Sequence, residues 1–92
     1  MHLRDYLRMA AEKGYDAPLE KHWAPGHLND SHTHDEDLFL LILEGGMAGG
    51  AKAEPTWCGP GDTIEVPGGT DHIERGGAAG VRFLATVRRS TM

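Results

Sequence analysis

SHTHDEDLFLLILEGG, residues 31–46, sets two histidines one residue apart, follows them with three consecutive acids and then enters the most apolar segment of the chain. That segment has strand length and large side chains, with acids before it and Gly45-Gly46 after it. Such bounds favour a β-strand over a buried turn of helix. Residues two apart on an extended strand share a face. His32 and His34 are therefore expected to point the same way, about 6–7 Å apart along the backbone.

The neighbouring segments also read as strands. APLEKHWAPG (17–26) puts Leu19, Lys21 and Trp23 on one face and closes at the Pro25-Gly26 turn signal, and HLNDSHTH (27–34) follows as a second strand. GMAGGAKAEPTWC (46–58) reads as a hairpin whose glycines and alanines specify register only weakly. DTIEVP (62–67) alternates Ile64 and Val66 against Glu65 and stops at Pro67-Gly68-Gly69. TDHIER (70–75) and GVRFLATVRR (80–89) make two further strands, so seven or eight short strands are expected, as in an antiparallel sandwich or barrel. At the other end, Leu3, Tyr6, Leu7 and Ala10 recur at helical spacing, and Gly14 supplies a stop. The spacing predicts a short helix within residues 1–14, docked by that stripe on a β-domain over 15–92; a frayed N-terminus is the competing reading.

Ninety-two residues suit one domain with a modest core, for which a second copy of the chain is a natural cover, so a homodimer is expected. Nine basic residues against 14 acidic ones give a formal charge of -5, which argues against nucleic acid or an anionic membrane as partner. The single Cys58 forms no internal disulfide and suits a reducing compartment. No apolar run reaches the roughly 20 residues of a membrane span. MHLRDYLRMAAEKG carries acids and lacks the apolar core of a secretion signal, so a cytoplasmic location is expected.

The chemistry concentrates in His32, His34 and His72. Two imidazoles on one strand face can share a metal, and His72, opening a strand after a tight turn, is a suitable third ligand. Spacing alone leaves a second reading open, in which these are strand-end histidines, solvated or bonded to nearby carbonyls. Trp23, Trp57 and Phe83 read as core or dimer-interface aromatics, His22 and His27 as surface histidines, and Cys58 as a packed thiol. Arg75, Arg82, Arg88 and Arg89 read as strand-edge charges, with anion binding at a barrel mouth as the alternative.

The spacings resemble those of the cupin family. Gly26, five residues, His32-Thr33-His34 and a closing Gly45 match its first motif. Gly61, Pro67, Gly69 and His72 match the second at the family's spacings, and the gap between Gly45 and Gly61 is close to the shortest in small microbial cupins. The resemblance covers about Trp23 to Val87. It implies a single-domain, all-β, antiparallel jelly-roll barrel, the short N-terminal α-helix being read from its own spacing, with a site in the barrel mouth whose metal-binding histidines fall on His32, His34 and His72. The family's glutamate would fall at Leu38 or Phe39, and its closing asparagine at Gly76. With the shorter spacing, Leu38 is expected to face inward with Leu40 and Ile42. Asp35, Glu36 and Asp37 then read as a solvated turn, with one of them supplying an oxygen as the alternative.

Three imidazoles suit Zn, Fe, Ni or Cu better than Mg or Ca. The implied function is a metal-binding cupin that binds or transforms a small, oxygen-bearing ligand. Whether it is an enzyme stays open, since the family includes dioxygenases, isomerases and decarboxylases. The alternatives are a non-catalytic small-molecule-binding or sensor cupin, with or without metal, and a metal-free dimeric scaffold.

Overall fold

The computed structural model describes the backbone of residues 1–32 and 35–89, and the side chains of these outside 30–32. The described elements are α1 (Leu3–Glu12), β1 (Leu19–Trp23), β2 (Leu28–His32), β3 (Glu36–Ala51), β4 (Thr56–Cys58), β5 (Thr63–Val66) and β6 (His72–Arg89). Every pairing is antiparallel. β3 and β6 run together from Glu36↔Arg89 to Ala51↔His72. β1 lies on the C-terminal half of β6 and β2 on its N-terminal half. β5 lies on the first half of β3, at Leu38–Leu41, and β4 on its second half, at Met47–Gly49.

Two sheets therefore share the long strands, β5-β3-β6-β1 on one side and β4-β3-β6-β2 on the other. One apolar core closes between them. Leu40, Ile42, Ile64, Val66 and Phe83 come from the first sheet, and Met47 and Cys58 from the second. This is the expected all-β antiparallel barrel with a short N-terminal helix.

The strands are fewer and longer than their sequence suggests. β3 does not end at Gly45-Gly46, and TDHIER and GVRFLATVRR form one strand. The glycines bend these strands instead of stopping them. Gly45 and Gly80 have φ of 70° and 77°, and the β3–β6 register shifts between Ile42 and Glu44 and again between Gly45 and Met47. Bulges of this kind let a strand leave one sheet and enter the next. At the crossing the backbones are so close that a Cβ on Gly45 would stand 2.1 Å from the Gly80 carbonyl oxygen.

LFLLIL lacks a polar face because both faces of β3 are covered. Leu40 and Ile42 enter the barrel, while Phe39 and Leu41 turn to Tyr6, Ala10 and Tyr15 in a second cluster outside it. The Tyr6 hydroxyl donates to the Phe39 carbonyl at 2.8 Å, and burial pushes its pKa well above the usual phenol value. That anchor sets the rotation of α1. Tyr6, Met9 and Ala10 face the sheet, whereas Leu3 and Leu7, expected in the contact, are 48% and 42% exposed.

Gly45→Ala is expected to lower the unfolding free energy by at least about 2 kcal/mol, since it adds a backbone clash to a left-handed conformation. Gly59→Ala, where a Cβ meets nothing within 4 Å, is expected to change it by less than about 1 kcal/mol. Urea unfolding of both variants checks the contrast, and equal effects would contradict the crossing geometry.

Candidate metal and ligand site

The site begins at the start of β6. Strand alternation puts His72 and Glu74 on one buried face, where they are 1% and 4% exposed. A turn closed by Thr70 N–H on the Pro67 carbonyl, with Gly69 at φ 84°, leads into the strand. His72 Nδ1 lies 3.2 Å from the Thr70 carbonyl oxygen. A carbonyl only accepts, so Nδ1 carries the proton of this contact. Nε2 stands 3.7 Å from Glu74 Oε1, while Asn29 Nδ2 donates to Glu74 Oε2 across a longer 3.5 Å.

The turn is fixed from outside the barrel by one of the three acids. Asp37 accepts the Gly68 N–H at 2.7 Å and Arg88 Nε at 2.7 Å. The Gly68 amide and the Arg88 guanidinium hold its carboxyl below the usual aspartate range. Asp37 therefore neither enters the barrel nor sits in a freely solvated turn. Asp35 is exposed, and Glu36, also exposed, stands at the rim of the barrel.

A cavity of about 270 Å³ opens in the barrel mouth. Leu38, Leu40 and Phe83 form apolar wall, and Glu74, Asn29 and Lys21 bring polar groups to it. Leu38 faces inward with Leu40, as expected, and packs against the core where a cupin glutamate would project. At Gly76 there is little room for the family's asparagine, because a Cβ would stand 3.2 Å from the Ala24 carbonyl oxygen.

Of the three expected histidines, the structure places the His72 side chain and the His32 backbone. His32 pairs directly with His72 in the β2–β6 register. The His32 side chain and all of His34 lie outside the described residues. Among the described residues, no three His, Cys, Asp or Glu side chains converge to hold a metal ion. His22 is exposed and 2.8 Å from Glu20, and the His27 ring lies against Trp23 at 4.7 Å. Cys58 is buried, and burial raises its pKa. Glu74, buried and lining the cavity, was not singled out in the sequence, although it stands two residues after His72 on a strand.

No protein-family profile and no curated protein matches the sequence. Solved structures do match. A Shewanella frigidimarina RmlC-like cupin superposes with a TM-score of 0.72 over 82% of this chain and 67% of its own, at 17% identity. The chain has the cupin fold. A Rhizobium leguminosarum protein of unknown function is similar at 24% identity and TM-score 0.67, over 74% of this chain. This chain spans 64% of that protein's length. A Bacillus subtilis oxalate decarboxylase with Mn(II) centres is similar at 18% identity and TM-score 0.71, covering 88% of this chain and 23% of its own. No helix among the described residues is long and apolar enough to cross a membrane.

In this barrel Asp37 holds the turn that leads to His72. Asp37→Asn is expected to cost about 1–3 kcal/mol at pH 7, as for hydrogen bonds to a charged group. Because the folded carboxyl titrates below its unfolded value, the contribution is complete above about pH 4 and is lost as pH falls through the lower folded value. Wild type and variant should therefore converge in stability as pH falls through that lower folded value. Denaturation curves between pH 2 and pH 7 check this, and a gap independent of pH would contradict it.

Proposed function

We propose that this cupin holds a divalent transition ion, one of Zn, Fe, Ni or Cu, with His32, His34 and His72, and that the centre binds a small oxygen-bearing ligand in the adjoining cavity. The observation that carries this reading is the buried His72 ring. Its Nδ1 is turned to a backbone carbonyl, its Nε2 points away from that carbonyl, and the β2–β6 register sets residue 32 opposite it. A histidine oriented in this way by its other nitrogen fits the usual arrangement of an imidazole metal ligand. The Mn(II) centres of the similar oxalate decarboxylase lend support. When bound, such an ion supplies Lewis acidity toward ligand oxygens. The chain's own contribution is selection: Leu38, Leu40 and Phe83 exclude water from one side of the ligand, and Lys21 at the wall attracts negative charge.

A metal-free ligand-binding barrel is the second reading, favoured by Leu38 standing where the fold's usual carboxylate would be. Metal content separates the two. Untagged wild-type protein is expected to contain close to one equivalent of a transition metal by elemental mass spectrometry. His72→Ala should lose most of it and His22→Ala should not. Affinity should fall below about pH 6.5, because a ligating imidazole must be neutral. Equal metal in wild type and His72→Ala would rule the centre out.

The chain is also proposed to form a homodimer, since Leu19 and Trp57 are 67% and 61% exposed and a second copy would cover them. Light scattering at micromolar concentration should report twice the 10.0 kDa chain mass, and a monomer alone would contradict the proposal.

A further inference from the structure

We infer that the barrel mouth holds a groove for an amphipathic carboxylate, a short aliphatic chain whose anionic end lies at Lys21. The inference rests on the reading that the mouth takes a small ligand, and it is independent of the metal. The groove follows from one small residue. Ala85 lies on the inner face of β6, paired with Leu19 of β1 on one side and Leu40 of β3 on the other. A methyl group between two leucines leaves a trough across three strands. The core does not fill this end of the sheet. Leu40 and Phe83 are buried, whereas Leu38, Ala85 and Val87 are half-buried and Leu19 is 67% exposed. Leu19, Leu38, Ala85 and Val87 line a groove of about 230 Å³, which meets the mouth cavity along Lys21, Leu38, Ala85 and Val87. At roughly the 30 Å³ that a water molecule takes in the liquid, it has room for about eight non-hydrogen atoms.

Charge decides the occupant. Lys21 stands two residues after Leu19 on the same strand face, and among the described residues no carboxylate makes an ion pair with it. The other ionisable group on the groove is Asp16, whose N–H donates to the Val87 carbonyl at the outer end. Glu36 and Glu74 stand on the wall of the deeper cavity. A negative charge is therefore drawn to Lys21, between acids on either side, and the apolar side chains are left for the body of the ligand. Leu19 forms the outer lip, where it can meet both a ligand and a second copy. A contact between copies that filled the groove would enclose Lys21, and lysine is depleted in the core of such contacts. A free carboxylate neutralises it.

The test is calorimetric titration of untagged protein with sodium octanoate, both as purified and after treatment with a chelator. Octanoate is expected to bind in both forms. Affinity should rise about 2- to 4-fold for each methylene from butyrate to octanoate, as apolar surface leaves water. Lys21→Gln changes an exposed side chain and should weaken octanoate about 5-fold, the upper end for an exposed ion pair. Ala85→Leu fills the trough at a half-buried position and should weaken it at least about 10-fold. Circular dichroism checks the fold of both variants. Neutral octan-1-ol needs no variant, and it should bind the wild type more weakly than octanoate. Octanoate bound no better than octan-1-ol or acetate, or unaffected by both substitutions, overturns the inference. Binding confined to metal-loaded protein assigns the carboxylate to the metal and overturns it too. If octanoate does not bind and Leu19→Ser turns a dimer into a monomer, the groove belongs to a second copy. Failure of octanoate to bind wild type that carries one equivalent of metal overturns the groove and leaves the metal centre standing.

Discussion

The β3–β6 ladder is the constraint on which the rest of the structure depends. It joins the two longest strands from Glu36↔Arg89 to Ala51↔His72, and every other described strand pairs with one or the other of them. Both strands belong to both sheets, so the barrel closes only if they bend at the same place. The bend falls where Gly45 meets Gly80, with no room for a side chain between the backbones. Glycine here serves close approach as well as a left-handed φ. The core follows from the bend, since it lets Met47 and Cys58 of one sheet meet Ile42 and Phe83 of the other.

The same ladder explains how chemistry is positioned at the mouth. β3 carries Leu38 and Leu40 inward and Asp37 and Phe39 outward, so one strand serves two layers. Its outer side anchors α1 through the Phe39 carbonyl and grips the turn before β6 through Asp37. That turn presents the Thr70 carbonyl to His72. The acids beside the histidines thus influence the site through the backbone: Asp37 acts from outside the barrel wall on a ring inside it. Arg88 completes the grip and also reaches the Lys13 carbonyl, tying the end of the helix to the same strand.

Features set by local geometry were legible in the sequence. The Gly61, Pro67, Gly69 and His72 spacing specifies a turn followed by an inward residue, and the structure has that turn. Strand character in LFLLIL was legible as well, as was the inward direction of Leu38. What could not be read depended on distant partners. Leu3 and Leu7 extended the Tyr6–Ala10 stripe as well as Met9 did, and only the Tyr6 hydroxyl on Phe39 selects between them. Gly45-Gly46 resembles a stop unless Gly80 is known to lie opposite. Asp37 looked like a turn acid because Arg88 is 51 residues away. Glu74 carried the right alternation, but nothing local marks a glutamate as buried.

The ladder also has a direction in chain entropy. The intervening segment that must be looped to pair Ala51 with His72 is much shorter than the one that must be looped to pair Glu36 with Arg89. Closing the shorter loop first saves about 0.8 kcal/mol of conformational entropy by the logarithmic dependence on loop length. β4 and β5 both lie inside that loop and pair back onto β3 residues that precede it, so the intervening chain is itself held against β3. Pairing that starts there and runs toward the chain ends brings residue 72 into register at the first step. The part of the barrel bearing its chemistry is then the part that a refolding chain can assemble soonest, before α1 or β1 has anything to dock on.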